Sequence, residues 1–163
     1  MSTDFYNISI VPYQGIIIKI CRAYTYSKED FEDYYQEVCL QLWKSKDNFN
    51  EKSAWSTWVY RLTLNVCLTL QKKKKISAVP FIADKSNLST YQDPITESSN
   101  AIDKLYAAIK QLKAIDRAII LLYLEEKSYE EISVIMGTNT SNIGVRINRI
   151  KKRLKKLLNG KVY

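Results

Sequence analysis

The 163-residue sequence contains no histidine. That removes the residue most used as a general base and as a transition-metal ligand, and a helical carboxylate metal centre, which sets a histidine beside its acids, has nothing to supply it. Three prolines and four glycines are too few for a strand-and-turn architecture, whereas Lys, Leu, Ile, Glu and Gln recur in periodic runs. An all-α chain is expected. The three cysteines, Cys21, Cys39 and Cys67, are odd in number, widely spaced and embedded in apolar helical patterns. They fit reduced thiols packed in a core better than a disulfide framework or a CxxC metal site, which points to the cytoplasm. The most apolar run, GIIIKIC at 15–21, is far too short to cross a bilayer, and the first residues lack the basic region of a signal peptide, so no membrane span is expected. A GxGxxG, a Walker loop and a nucleophile elbow are missing too. A catalyst would have only scattered carboxylates and lysines, so neither an enzyme nor a bound metal or cofactor is expected.

Positive charge, by contrast, is in excess. The net charge is +8, and it is unevenly spread: residues 1–76 carry 11 basic and 8 acidic side chains, residues 77–103 carry 1 and 4, and residues 104–163 carry 13 and 5. The surplus sits at the C-terminal end, where it suits a polyanionic partner.

Along the chain, helical spacing of Ile16, Ile17, Ile20 and Ala23 predicts a first helix from Pro12 to Tyr24, with Pro12 tolerated at a first helical position. Ser27 then precedes the acidic turn Lys28-Glu29-Asp30, and Phe31, Tyr35, Val38 and Leu42 recur at helical intervals. The opposite face of that helix carries Glu29, Glu32, Asp33, Gln36 and Glu37, a cluster that reads equally as a solvated surface. Ser53 is expected to cap a third helix running to about Leu70, with Trp55, Trp58, Leu62 and Val66 as its apolar stripe; it leads into Gln71 and the four lysines Lys72 to Lys75. Aromatics at that spacing are most simply core, and lysines at a helix end suit either the macrodipole or a phosphate. From Ser77 to Ser99 the period vanishes and Pro80, Pro94 and Ser/Thr/Asn/Asp take over. An aperiodic stretch of that length inside one compact unit would be unusual, so the expected organisation is two small helical domains, 1–76 and 102–163, joined by a flexible linker at 77–101.

The second domain opens with Ile102, Leu105, Ile109 and Leu112 at helical spacing, breaks at Lys113 to Ile115, and resumes in a helix that Asp116 is expected to cap. Ser128-Tyr129-Glu130-Glu131 has the SxxE form of a capping box, and the helix it starts should end at Gly137. Thr140 or Ser141 would then cap a last helix with Ile143, Ile147, Ile150 and Leu154 on its inner side. Small Ser133, turning Gly137 and plugging Ile143, spaced four and six apart, are what a helix-turn-helix needs. Between Gly137 and Tyr163 there are eight basic residues and no acidic one. Such a field repels itself unless an anion offsets it, and nucleic-acid phosphates would. The candidate DNA-reading residues are Thr140, Ser141, Asn142, Val145, Arg146, Asn148, Arg149 and Lys152.

With these motifs in view, the chain resembles the extracytoplasmic-function class of bacterial RNA polymerase sigma factors. YEEISVIMGTNTSNIGVRINRIKKRL is similar to that family's promoter-reading helix-turn-helix through Glu131, Ile132, Ser133, Gly137, Ile143, Arg146 and Arg149. DYYQEVCLQLW is similar to its polymerase-docking helix through Asp33, Gln36, Glu37, Val38, Leu40, Leu42 and Trp43, and STWVYRLTLN to its −10 segment through Thr57, Trp58, Tyr60, Arg61, Leu62 and Asn65. The resemblance implies a promoter-specificity subunit without catalysis, whose partners are core RNA polymerase (β′ and β subunits), promoter DNA and an anti-sigma factor. It implies polymerase binding at Asp33, Gln36, Glu37 and Leu40, and −10 contacts at Asn50, Ser53, Trp55, Ser56, Tyr60, Arg61, Asn65, Lys72 and Lys73. The −35 element would fall to the final helix. The chain departs from the pattern at Ser133, where Ala is usual, at Gly144, and in ending the tryptophan segment in lysines rather than arginines. The rival reading is a stand-alone helix-turn-helix repressor or activator.

Overall fold

The computed structural model describes residues 3–49, 54–77 and 100–160, with backbone alone at 76 and 77. All regular elements among them are helical, and the chain divides into two compact units between Thr96 and Glu97.

The first unit begins with a single turn, α1 (Thr3–Phe5), a π turn over Tyr6–Ile10 and a 3-10 turn over Val11–Tyr13. Pro12 lies in the 3-10 turn, so α2 runs over Gln14–Ala23 rather than starting at the proline. Ile16, Ile17, Ile20 and Ala23 are buried as their spacing predicts. Helix α3 (Lys28–Ser45) is capped by Ser27, whose hydroxyl accepts the Asp30 N–H at 3.1 Å. Its inner face is Phe31, Tyr34, Val38, Cys39 and Leu42. Tyr34 displaces the expected Tyr35 from the centre of that face, and burial pushes its phenol up to about 12.

Helix α4 (Trp55–Ser77) continues past Leu70 and takes the four lysines inside the helix. Its buried residues are Val59, Tyr60, Thr63, Leu64 and Cys67, whereas the expected stripe of Trp55, Trp58, Leu62 and Val66 is only half-buried. The reason is packing against two neighbours, α2 and α3, at once. Close approach to α2 needs small side chains, and Cys67 Sγ comes within 3.9 Å of Cys21 Sγ. All three thiols are free and buried; contact with Cys21 and burial hold the Cys67 thiol well above its ordinary pKa, and burial raises that of Cys39, so these two are poorly nucleophilic.

The second unit comprises α5 (Asn100–Lys110), α6 (Ala114–Leu124), α7 (Tyr129–Met136) and α8 (Thr140–Leu158). The α5–α6 corner falls at 111–113 and is closed by Arg117, a buried cation at 7% exposure. Its Nε–H donates to the Leu112 carbonyl at 3.0 Å and its Nη2 to the Lys110 carbonyl at 2.6 Å. Positive charge is favoured on such terminal carbonyls. Lys113, not Asp116, occupies the N-cap of α6; Asp116 lies inside the first turn, where the dipole favours a carboxylate. Every residue from Arg117 to Leu122 is buried, so α6 is surrounded rather than amphipathic.

The capping box at the start of α7 forms in both directions: Glu131 N–H donates to Ser128 Oγ and Ser128 N–H to Glu131 Oε1, each at 3.1 Å. Gly137 ends the helix at φ 71°, a left-handed conformation that glycine adopts without strain. Ser133 is buried against the turn and donates its hydroxyl to the Glu130 carbonyl at 2.7 Å. The cap of α8 is Asn139, whose Oδ1 accepts the Asn142 N–H at 2.8 Å; Thr140 and Ser141, the expected caps, are its first helical residues.

Candidate nucleic-acid and partner interfaces

Helix α8 buries Ile143, Ile147, Ile150 and Leu154 in one line. At 100° per residue the opposite arc is occupied by Ser141, Val145, Asn148, Arg149 and Lys152, all exposed, with Val145 at 51%. Thr140 is exposed at the helix start. Asn142 is half-buried, its amide donating to Thr138 Oγ1 at 2.9 Å, so it braces the turn with one of its polar groups. Arg146 lies on the flank, and its Nη1 reaches Asp116 Oδ1 of α6 at 3.2 Å. A groove of about 400 Å³ runs there, lined by Lys113, Ala114, Ile115, Asp116, Arg146 and Arg149. On the other flank Lys151 sits 4.4 Å from the centre of the Tyr123 ring. The exposed arc is therefore polar and cationic, with no carboxylate of its own helix to compete for phosphate.

In the first unit, Asp33, Gln36, Glu37 and Leu40 stand at i, i+3, i+4 and i+7 on α3, and all four line one groove of about 420 Å³ with Asp30, Tyr34, Leu70 and Lys74. Lys74 is ion-paired with Asp30. The groove is acidic at its rim and apolar at Leu40 and Leu70, a combination complementary to a basic, partly apolar surface.

Arg61, Asn65 and Lys73 line an adjoining groove of about 440 Å³ with Trp58, Leu62 and Thr69; Glu37 and Leu70 border both grooves. Lys72 is exposed and Ser56 half-buried. Tyr60, expected among the −10 contacts, belongs to the core at 7% exposure, where burial removes its ring from water. Asn50 and Ser53 lie outside the described residues.

Trp55 is held from a direction the sequence did not signal. Its indole N–H donates to the Ser9 carbonyl at 2.8 Å, and its ring meets Phe5 and Phe49 edge-on, with centroids 6.0 and 5.1 Å away. Phe49 also meets Trp58, whose own N–H donates to Ser45 Oγ at 3.0 Å, and Lys46 lies over the Phe5 and Trp43 rings. Three of these contacts, Trp55 with Ser9 and with Phe5 and Lys46 with Phe5, join residues more than forty apart, and periodicity carries no trace of them.

Family models agree with this division. Sigma-70 region 2 matches residues 10–76 and sigma-70 region 4 matches residues 102–154. The chain belongs to the sigma-70 family. Among curated relatives, the ECF RNA polymerase sigma factor SigG of Mycobacterium tuberculosis is 26% identical over 88% of the chain, which spans only 46% of that protein's length. The ECF RNA polymerase sigma factor SigW of Bacillus subtilis is 27% identical over 90% of the chain and 84% of its own length. Of solved structures, the sigma factor RpoE of Bartonella quintana, crystallised with the anti-sigma factor NepR, shares the fold with a TM-score of 0.75 at 20% identity, over 97% of this chain and 98% of that one.

In this sigma factor, region 2 therefore comprises α2 to α4 and region 4 comprises α5 to α8. Both α3–α4 grooves fall within region 2. Phe5 and Ser9, which hold Trp55, precede residue 10 and lie outside the matched span.

Proposed function

We propose that the chain is a non-catalytic promoter-specificity subunit that acts in the cytoplasm, binding core RNA polymerase and directing transcription initiation. The α3 groove with Asp33, Gln36, Glu37 and Leu40 takes the polymerase β′ subunit. Arg61, Asn65, Lys72 and Lys73, with Trp55 and Ser56 at the head of α4, meet the opened −10 region. The exposed arc of α8 enters the −35 major groove, and the β subunit and an anti-sigma factor complete the partners. Each unit alone grips DNA weakly. The connecting segment at 78–99 makes the second contact intramolecular once the first has formed, so selectivity arises when the polymerase holds both.

The observation that carries this reading is the union of the four docking residues in one acid-rimmed groove, on a different unit from the cationic arc of α8. The test is to mix the purified chain with core polymerase and a promoter library. Asp33→Arg, which puts a cation on the groove's rim, should weaken polymerase association by about tenfold or more, because like charges at an interface are strongly disfavoured. Unchanged association in both Asp33→Arg and Gln36→Ala would reject the docking surface, and tight duplex binding without polymerase would favour the repressor.

A further inference from the structure

Helices α6 and α8 present three cations, Lys113, Arg146 and Arg149, around one groove, with a single carboxylate, Asp116, among them. Three cations alone would take up any DNA phosphate regardless of sequence, since phosphate contacts position a protein but carry no base information. The carboxylate changes that balance. Asp116 Oδ1 accepts from Arg146 Nη1 at 3.2 Å, across thirty residues of sequence and from a different helix. Both side chains remain open to solvent, at 39% for Arg146 and 26% for Asp116. An ion pair so exposed adds little to folding. Direction is what it can supply: α6 is buried on nearly every side and so rigid, and one of its carboxylates holds a guanidinium that stands beside the DNA-facing arc of α8. Arg has five N–H donors in a fixed fork, so the donors that Asp116 does not use remain for a second acceptor.

We infer that Asp116 is a positioning residue for sequence discrimination: it aims Arg146 at a guanine edge and makes the α6–α8 groove a poor seat for a backbone phosphate. The inference rests on the reading of α8 as the duplex-reading helix. It assigns opposite signs to two effects of one substitution. Removing the charge of Asp116 leaves Arg146 free to wander onto phosphate, so binding becomes stronger where sequence does not matter and weaker where it does.

The experiment uses the full chain bound to core polymerase. A short duplex is selected from a random-sequence pool, and affinity for it and for a scrambled duplex is measured over a salt series. Asp116→Asn should reduce the preference for the selected duplex about tenfold, the scale of one bidentate arginine–guanine contact. Affinity for the scrambled duplex should rise, and the salt slope should steepen by about 0.9, the increment for one added phosphate contact. In an Arg146→Ala background the same change should not alter preference further, and Asp116→Glu should restore most of it. Unaltered preference in Asp116→Asn, or equal losses on both duplexes, would overturn the inference. Should Asp116→Asn fail to fold, Asp116→Ser carries the test, since it too removes the carboxylate: a loss of discrimination confined to one base pair supports the positioning role, and unaltered discrimination removes it. Arg149→Ala and Lys152→Ala separate the two levels. If neither weakens binding, the reading of α8 falls and the inference with it; if both do while Asp116→Asn leaves preference untouched, only the role of Asp116 falls.

Discussion

Gly144 occupies the fifth position of a nineteen-residue helix, where a glycine is costly. Relative to alanine, a glycine in a helix interior forfeits about 1 kcal/mol, because the unfolded chain has more freedom to lose. Whether alanine recovers that amount depends on what its methyl would meet. A Cβ built at Gly144 finds the Tyr129 ring at 3.5 and 3.7 Å, which is ordinary contact rather than collision. Gly144→Ala should therefore stabilise the second unit by about 1 kcal/mol, and for a unit of this size that raises its melting temperature by about 4–8 °C. The assay can separate the units, because Trp43, Trp55 and Trp58 are all in the first one. Tryptophan fluorescence should melt as before while far-UV circular dichroism and amide exchange in α8 report the gain. Duplex affinity should stay constant, since position 144 is half-buried on the Tyr129 flank, away from the Ser141–Val145–Lys152 arc. A fall in stability would refute the reasoning by showing that the ring cannot accept the methyl. Gained stability with lost duplex binding would instead mean that the DNA backbone comes close to this flank.

Arg117→Met keeps the buried stem of the side chain but removes the donors to the Leu112 and Lys110 carbonyls, and should cost about 3 kcal/mol, the scale of two charge-assisted bonds less the relief of burying a charge. A unit of some sixty residues has roughly 3–9 kcal/mol to lose, so urea denaturation should find it near unfolding; a loss under about 1 kcal/mol would show that the corner holds without the cation. For Glu131, the hydrogen bond from the Ser128 N–H is the main reason its carboxyl is held below the ordinary glutamate range. A lowered folded-state value means that the stabilisation is complete above the unfolded-state value and is lost as pH falls through the folded one. Amide protection at Ser128 and Glu131 should decline in that acidic window, and protection that stays flat would remove the box from the account.

How much of this was legible in the sequence follows the range of the interactions. Ser27, the Ser128–Glu131 box and Gly137 act within four residues, and each is where its chemistry places it. The inner line of α8 was equally plain, because that helix buries one face only. Helix α4 was not, since two packed neighbours turn its core towards Thr63 and Cys67, and a pattern weighted by large residues followed the tryptophans instead. The run Thr138-Asn139-Thr140-Ser141 offers several good caps in succession; the left-handed turn at Gly137 decides among them by setting where the chain can re-enter a helix. Tyr60 matched the family's pattern yet faces the core, so a motif can mark a residue that supports a surface rather than forms it. The seat of Trp55 needed Ser9, forty-six residues away, and no local signal could supply that.

Two cross-helix ion pairs among the described residues, Lys74–Asp30 and Arg146–Asp116, share a construction that follows from the segregation of charge along the sequence. Lys74 comes from the lysine run of α4 and Arg146 from the acid-free stretch of α8, and neither run has a carboxylate of its own to meet. Each is met instead by an acid in the first turn of a neighbouring helix, Asp30 of α3 and Asp116 of α6, where the macrodipole already favours negative charge. The acids are thus kept at positions that stabilise their own helices, while the cationic runs keep the rest of their charge exposed. In both units the anchored cation stands beside a surface proposed for a partner, Lys74 in the groove proposed for the polymerase and Arg146 on the flank of the α8 arc proposed for the duplex. Each pair is too exposed to add much to folding, so what the carboxylate supplies is the placement of one cation, while the rest of the run stays unneutralised.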